Sequence, residues 1–311
     1  MLYGYESNWK EMLQKAQEIA AKKHFKLVYA ATTGSISKGI PAIDSDYDIR
    51  FLYIKEDFPE KKIDPRYCEE KDIVYRHFQD ENHNLNLDIR YTYDRLAFWE
   101  LSSFLKLMVI PQIGEETWDK NGLYYIVEHT FLTPYAWDPY GIQLKVLPLI
   151  NSYFKKQYSY PYYKKVMERR TLFEKIRTKD YIDAVWAALS VTWVNKYKQA
   201  APIDFWTLLS QIISADEREF IRKWMLTKIE ECNEVVSSKE HRVRASSRTS
   251  VFTDRDDRIE GIIDRAYTVI QNSPFCEEHN VEEQYHRIDI IIEAIERSVA
   301  PLPVWGLTVE A

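Results

Sequence analysis

A short segment near residue 34 places a tight turn between two apolar stretches. Phe25–Ala31 is apolar and aromatic enough for a buried strand, and Gly34–Ser35 then interrupts it with a residue that permits close approach of the backbone. Beyond the turn, Tyr47–Ile54 has the composition of a second strand. This order predicts two neighbouring strands whose connection presents backbone N–H groups to phosphate.

An acidic pair opens the second of these strands. Side chains alternate between the two faces of a strand, so Asp46 and Asp48 are expected to point the same way. Two carboxylates at this spacing predict a site for Mg²⁺ or Mn²⁺, because such cations take carboxylates together with substrate phosphates. The alternative is structural, since Gly-Ser turns are common and aspartates often cap helices or end strands. The order of the elements favours the catalytic interpretation.

These residues resemble a known signature. Gly34–Ser35, Gly39 and Asp44–Phe51 are similar to the motif of the DNA polymerase β-like nucleotidyltransferase superfamily, specifically the bacterial and phage branch linked to RNA repair. The resemblance implies an α+β fold, in which a mixed sheet with helices is followed by an all-helical C-terminal domain. It implies a nucleoside triphosphate (NTP) on Gly34 and Ser35, and Mg²⁺ or Mn²⁺ on Asp46 and Asp48.

Enzymes of this kind need a third carboxylate from a neighbouring strand. Asn84–Tyr91 alternates polar and apolar residues as a half-buried strand does, and Asp72–Phe78 is another candidate strand before it. Asp88 is therefore the predicted third metal ligand and catalytic residue. The alternative is a surface aspartate on an edge strand. The family pattern continues with a helix, which we expect at Tyr93–Leu101.

Two lysines are candidates for contact with the triphosphate. Relatives often carry a basic residue just after the Gly-Ser pair, whereas this chain has Ile36 there and Lys38 two residues later. Lys38 is predicted to supply a point charge near the triphosphate, with an exposed lysine of no special role as the alternative. Lys179 matches a lysine in the family's helical region and is predicted to face the cleft. Trp186 stands where relatives tend to have an arginine.

Length and composition favour two domains without a membrane segment. The chain has 311 residues, of which 45% are hydrophobic and 29% are charged, more than one core usually organises. We expect a catalytic domain at 1–125 and a helical domain at 126–311, in a cytoplasmic protein with no membrane partner. The net charge of −6 means that RNA contacts must depend on a local basic patch. The three cysteines lack the spacing of a zinc site or a disulfide framework.

The helical part contains further patterns. Thr178–Val194 spaces its apolar residues as a strongly buried helix does, and Val281–Ser298 predicts a terminal helix that packs on the helical domain or forms a dimer contact. Cations and tyrosines alternate between Lys155 and Lys179, which suits either an RNA strand or a solvated helix whose tyrosines pack inward. His241–Arg248 is a second basic stretch, interpreted as a mobile or disordered loop.

Together these observations predict a metal-dependent nucleotidyltransferase. It would move NMP from an NTP to a hydroxyl acceptor with release of pyrophosphate, and RNA, in particular a tRNA 3′ end, is the expected acceptor. One alternative is nucleotidylation of a protein or a small molecule. Another is a catalytically silent RNA-binding or antitoxin-like partner, against which the three aspartates argue because their mutual repulsion is relieved only by a metal. The oligomeric state is left open.

Overall fold

The computed structural model describes residues 5–22, 25–41, 45, 48–55, 95–106, 124–153, 156–171, 175–212, 214–238, 251–273 and 281–299. The strands are β1 (Phe25–Thr32), β2 (Asp48–Lys55), β3 (Arg95–Glu100), β4 (Ala136–Trp137), β5 (Ile176–Arg177) and β6 (Phe252–Thr253). The helices are α1 (Tyr5–Lys22), α2 (Gly34–Ser37), α3 (Leu101–Lys106), α4 (Tyr124–Phe131), α5 (Ile142–Tyr153), α6 (Lys156–Glu168), α7 (Thr178–Tyr197), α8 (Phe205–Ile212), α9 (Ala215–Ser238), α10 (Asp257–Gln271) and α11 (Val281–Val299).

Four strands form one mixed sheet in the order β3-β2-β1-β4. β1 is antiparallel to both of its neighbours, with Ala30 opposite Phe51 of β2 and opposite Trp137 of β4. β2 and β3 run parallel, and Phe98 of β3 lies opposite Phe51. Those two rings stack with their centroids 5.2 Å apart. The predicted α+β fold with a mixed sheet is confirmed.

The third strand of this sheet corrects one prediction. The sequence predicts a helix over Tyr93–Leu101, but Arg95–Glu100 forms β3 and a helix begins only at Leu101. Pairing with β2 along six residues, together with burial of Phe98 against the rings of Phe25 and Phe51, outweighs the local helical preference. The predicted strands at 72–78 and 84–91, and the predicted loop at 56–70, lie outside the described residues.

β1 is buried on both faces, which explains why polar and apolar residues do not alternate along its sequence. On one face, Met12 and Ala16 of α1 pack against the sheet. On the other face, α3, α5 and α11 supply Phe104, Val146 and Ile292 to a second cluster that includes Tyr29. The sheet is therefore the middle of three layers, and the turn that follows β1 emerges at the end of a rigid strand.

The helical part is organised around α7, which confirms the predicted buried helix. Thirteen of its residues are buried, from Thr178 to Val194, so that it lacks a clearly polar face. It packs against α6, α8, α9 and α10. Trp186, with no exposed surface, is part of this core, and its indole N–H donates to the carbonyl of Ile203 at 2.9 Å.

Helix α4 lies between the sheet and the helical core. The Tyr29 hydroxyl of β1 donates to the carbonyl of Thr130 at 3.0 Å. Two residues earlier, Glu128 accepts a hydrogen bond from the Ser159 hydroxyl of α6 at 3.0 Å. Nearby residues of α4 therefore contact the two halves of the protein. The predicted division between residues 125 and 126 stays a prediction, while β4 and α5, which follow it, pack on the sheet.

The terminal helix α11 packs against α3 and α5. Its buried face carries Ile288, Ile292 and Ile295, which join the cluster over the sheet. The predicted apolar face is thus used for packing inside the chain. Across the described residues, no helix combines the length and the apolar character that are needed to cross a bilayer.

The buried carboxyl group of Glu128 predicts a specific dependence of stability on pH. Burial raises the pKa of Glu128 from 4.5 to about 8, so the folded protein holds a proton that the unfolded chain releases between these values. The free energy of unfolding should therefore fall as pH rises from about 4.5 to about 8. A shift of this size corresponds to roughly 3 to 6 kcal/mol.

Glu128→Gln removes the titrating group and keeps the shape of the side chain. We expect its stability, relative to the wild-type protein, to improve steadily from pH 5 to pH 8, as measured by urea unfolding at several pH values. Glu234→Gln, at an exposed position of α9, is the matched control and should follow the wild-type curve. A Glu128→Gln curve parallel to the wild-type curve would show that Glu128 is ionised in the folded state.

Candidate active site

The glycine turn after β1 forms a compact loop of backbone hydrogen bonds. Gly34 and Gly39, at its two ends, both have φ of +69°, a left-handed conformation that side chains with a Cβ rarely adopt. Between them, the N–H of Gly39 donates to Ile36 at 2.9 Å, and the N–H of Ile40 donates to Ser35 at 3.1 Å. We call residues 33–40 the glycine turn. Its glycines are required by its backbone geometry.

The beginning of the glycine turn faces the first residue of β2. The Thr33 N–H donates to the Asp48 carbonyl at 2.7 Å, and the Thr33 hydroxyl donates to the same oxygen at 3.2 Å. A Cβ added to Gly34 would lie 3.4 Å from Oδ2 of Asp48. The Gly-Ser pair and an aspartate of the next strand are therefore neighbours, while their predicted roles at the triphosphate and the metal stay predictions. Asp48 is exposed at this point.

The first N–H groups of α2 are available in a way that suits an anion. Thr33 is the residue before the helix, yet its side chain makes no capping hydrogen bond, because its hydroxyl is directed to Asp48. The first N–H groups of a helix have no partner within the helix. An oxygen of a phosphate could accept from them, with Ser35, which is half-buried, beside it.

The metal site is described only at Asp48. Asp46 and Asp88, its two predicted partners, lie outside the described residues, so their roles stay predictions. Within the described residues, no group of three or more His, Cys, Asp and Glu side chains is arranged to hold a metal ion. Asp48 itself fits the chemistry, since an exposed carboxylate beside a phosphate-binding turn is the kind of ligand that Mg²⁺ takes.

The end of the glycine turn faces the helical core. Lys38 Nζ lies 2.5 Å from Oδ1 of Asp183 and 4.3 Å from the centroid of the Trp186 ring, and its side chain is only 10% exposed. The N–H of Phe205 donates to the Lys38 carbonyl at 2.8 Å. The indole N–H of Trp206 donates to the Gly39 carbonyl at 2.8 Å. Helices α7 and α8 therefore hold both the side chain and the backbone of this end.

The structure places the two candidate lysines differently. Lys38 is the point of contact with α7. Lys179 is exposed at the start of α7, four residues before Asp183 and thus on the same side of the helix. Its predicted position at the cleft stays a prediction.

Positive charge near the turn also affects a histidine. His129 of α4 is buried, and its ring lies perpendicular to the Trp186 ring at 5.3 Å between centroids. Burial, together with the charges of Lys38 and Arg50, holds the pKa of His129 well below its ordinary value. His129 is therefore neutral at physiological pH. Arg50 of β2 donates to the Thr130 hydroxyl at 2.9 Å, which ties the second strand to α4.

The basic and aromatic segment before α7 is partly internal. Tyr160 and Tyr163 of α6 are buried in the helical core, which favours the interpretation that the tyrosines pack inward. Arg170 is also buried, and it binds Glu260 at 3.1 Å and Asp264 at 2.9 Å. Exposed cations among the described residues of this segment include Lys165, Arg169, Lys175 and Lys179. The second basic stretch, 241–248, lies outside the described residues.

Sequence reasoning missed the residues that contact the glycine turn from the helices. Asp183 and Trp206 are separated from the turn by 145 and 167 residues. Asp183 belongs to a helix that is rich in buried apolar residues, so a charged residue next to its apolar run was the available signal. The sequence contains no comparable signal for Trp206.

A mixed sheet, a glycine turn after its first strand and an aspartate at the start of the second are consistent with a polymerase β-like nucleotidyltransferase fold. Residues 10–111 match the family model described as "RNA repair pathway DNA polymerase beta family" (RlaP). The match confirms the resemblance to the RNA-repair branch and supports nucleotidyltransferase activity as the class of function. It includes the glycine turn, β1, β2 and β3, and about a third of the chain.

The similarity to a curated protein extends further along the chain. A protein of Bacillus subtilis (strain 168), described as "Uncharacterized protein YcgL", is 23% identical over 210 residues. The alignment covers 66% of this chain and 70% of that protein. No solved structure matches the chain at a significant level.

Alanine substitutions at two glycines should distinguish the cost of a positive φ from the cost of crowding between the added Cβ and its neighbours. Gly39→Ala would place a Cβ 2.5 Å from Oδ2 of Asp204 and 3.3 Å from Cδ1 of Trp206, whereas Gly141→Ala meets no atom within 4 Å. Both glycines have positive φ. We expect Gly141→Ala to cost about 1 kcal/mol of stability, and Gly39→Ala to cost about 1 to 3 kcal/mol more because of overpacking.

Chemical unfolding of both variants and of the wild-type protein measures this difference. Asp204 has little freedom to move aside, because its Oδ1 accepts hydrogen bonds from the N–H and the hydroxyl of Thr207, both at 2.7 Å. Equal losses for the two variants would show that the glycine turn is not crowded by α8.

Proposed function

We propose that this protein is a metal-dependent nucleotidyltransferase that moves NMP from an NTP to a hydroxyl group of RNA, with a tRNA 3′ end as the acceptor. The observation that carries the proposal is the contact between the start of the glycine turn and Asp48, within the segment that matches the RNA-repair family. A phosphate-binding backbone and a carboxylate that suits Mg²⁺ meet at this point.

The chain's own residues would bind and orient the reacting groups. The N–H groups at the start of α2, with Gly34 and Ser35, would bind the triphosphate. Lys179 is the residue proposed to offset the negative charge of the triphosphate, since Lys38 is held on Asp183. Asp48, together with Asp46 and Asp88, would hold the Mg²⁺ or Mn²⁺. Bound there, the metal would supply Lewis-acid stabilisation of the charge that develops on the phosphate oxygens.

The proposed reaction replaces a phosphoanhydride bond of the NTP with a phosphodiester bond to the acceptor. The acceptor hydroxyl oxygen bonds to the α-phosphorus of the NTP while the bond from that phosphorus to the bridging oxygen breaks. Pyrophosphate leaves with the bonding electron pair, and the hydroxyl proton passes to solvent. The role of the site residues is orientation and charge stabilisation, which account for most of the catalysis in such transfers.

RNA is favoured as the acceptor by the description of the matched family. Exposed Lys165, Arg169 and Lys179 give the helical part a local positive surface that suits a polynucleotide, despite the net charge of −6. Nucleotidylation of a protein or a small molecule is the alternative with the same chemistry. A silent RNA-binding role is a further alternative, and it predicts no transfer at all.

Removal of the Asp48 carboxylate tests the chemical proposal. Asp48→Asn keeps the size of the side chain but removes the negative charge that would hold the cation, so we expect the transfer rate to fall by at least about 10³-fold. The measurement is incorporation of each labelled NTP into bulk tRNA with Mg²⁺ or Mn²⁺. Asp216→Asn, at an exposed position of α9, is the matched control and should retain activity. Full activity of Asp48→Asn would refute the metal assignment.

The acceptor class is tested by the dependence of transfer on salt. Binding of single-stranded RNA through a few phosphate contacts should weaken by about tenfold between 50 and 200 mM salt. We therefore expect the KM for RNA to rise by that factor, while the KM for NTP, at saturating RNA, changes less. Label found on protein instead of RNA, with a salt-independent rate, would favour the protein-modifying alternative.

A further inference from the structure

The end of the glycine turn is held by groups that have no place in the proposed chemistry. Lys38 is almost buried, and its ammonium group binds the Asp183 carboxylate at 2.5 Å while it lies over the Trp186 ring. Such an ammonium group is unavailable to a triphosphate unless it leaves a partner of opposite charge in a poorly solvated site. The position of Lys38 therefore calls for a role other than direct contact with the nucleotide.

We infer that α7 and α8 position the nucleotide-binding turn, with Asp183 and Trp206 as positioning residues that act through Lys38 and Gly39. Asp183 fixes the Lys38 side chain, and Trp206 fixes the Gly39 carbonyl at 2.8 Å. The turn is only eight residues long, so its two ends cannot move independently. The helical core thereby sets where the N–H groups of α2 lie relative to Asp48.

Three details of the geometry support this inference. The N–H of Phe205 also donates to Lys38, so the backbone is held at two successive carbonyls. Gly39 has no room for a side chain, because Asp204 and Trp206 approach it closely. Thr33 holds the beginning of the turn on the Asp48 carbonyl through its N–H and its hydroxyl. The contacts with α7 and α8 therefore fix the other end of a turn whose first end is already held.

The first experiment uses one variant, for which the two possible roles of Lys38 predict opposite changes in nucleotide affinity. The inference rests on the proposed function, because it concerns the affinity for an NTP. If Asp183 positions the turn through Lys38, Asp183→Asn should weaken binding of a non-hydrolysable ATP analogue with Mg²⁺ by about 10- to 100-fold. If Lys38 instead binds the triphosphate, removal of the competing carboxylate should strengthen binding. Calorimetric titration measures the dissociation constant.

A double substitution tests whether the affinity that Asp183→Asn loses can be restored. Replacement of both partners of a buried ion pair by apolar residues usually preserves packing, whereas loss of one partner leaves an uncompensated charge. Lys38→Met with Asp183→Leu should therefore recover most of the affinity that Asp183→Asn loses. Failure of this double variant to recover affinity, although it unfolds at the wild-type temperature, would overturn the inference, because a direct role of the Lys38 charge would then be required.

A second pair of variants changes less of the protein, so that the inference can be tested even if the first variants fold poorly. Trp206→Phe removes the indole N–H that binds Gly39 and keeps an aromatic ring beside Phe205, whose centroid is 5.1 Å away. Trp193→Phe, in α7, is the matched control, because its indole N–H has no hydrogen-bond partner among the described residues. We expect Trp206→Phe to raise the KM for NTP several-fold, with kcat less affected, and Trp193→Phe to leave both constants unchanged. Equal effects of the two substitutions would contradict the inference.

Hydrogen exchange of the glycine turn separates this inference from the proposed function. Amides of residues 33–40 should exchange faster in Asp183→Asn and Trp206→Phe than in the wild-type protein, whether or not a nucleotide binds. If the wild-type protein binds no NTP, the proposed function fails, but this measurement still decides whether the helices hold the turn. Unchanged exchange in both variants would overturn the inference directly.

Discussion

The ion pair between Lys38 and Asp183 is the contact on which the arrangement of the candidate site depends. Both side chains lie where water has little access, so each needs the other as a partner. This requirement fixes the distance between the glycine turn and α7. Because α7 is buried along most of its length, it cannot shift to accommodate a displaced turn. The helical core thus acts as a fixed support for a short backbone segment of the sheet.

Helix α4 provides a second connection between the same two parts. Thr130 receives hydrogen bonds from Tyr29 and Arg50 of the sheet, while Glu128 binds Ser159 on the helical side. Burial raises the pKa of Glu128 to about 8, which favours its neutral form, and holds the pKa of His129 well below its ordinary value. The part of α4 that joins the sheet to the helical core therefore makes polar contacts but carries little net charge of its own. This suits a location close to the buried charges of Lys38 and its partner.

Local patterns in the sequence predicted the parts of the fold that local physics determines. β1, β2 and α7 follow from apolar runs and helical spacing, and the proximity of Gly34 to Asp48 follows from the short connection between their strands. β3 could not be predicted in the same way, because its parallel pairing with β2 decides its conformation. The contacts of Asp183 and Trp206 with the turn depend on the tertiary structure, which a pattern along the chain does not encode.

The two ends of the glycine turn have different roles, and this difference explains why each end has a glycine. At Gly34 the backbone has a φ of +69°, which favours glycine, while a Cβ there would make only an ordinary contact of 3.4 Å with Oδ2 of Asp48. At Gly39 the backbone must fit beneath Trp206, so a small residue is required for packing. In the proposed function, the first glycine serves the nucleotide and the second serves the contact with α8. A substitution in α7 or α8 would then alter nucleotide binding without changing any residue that is proposed to contact the nucleotide.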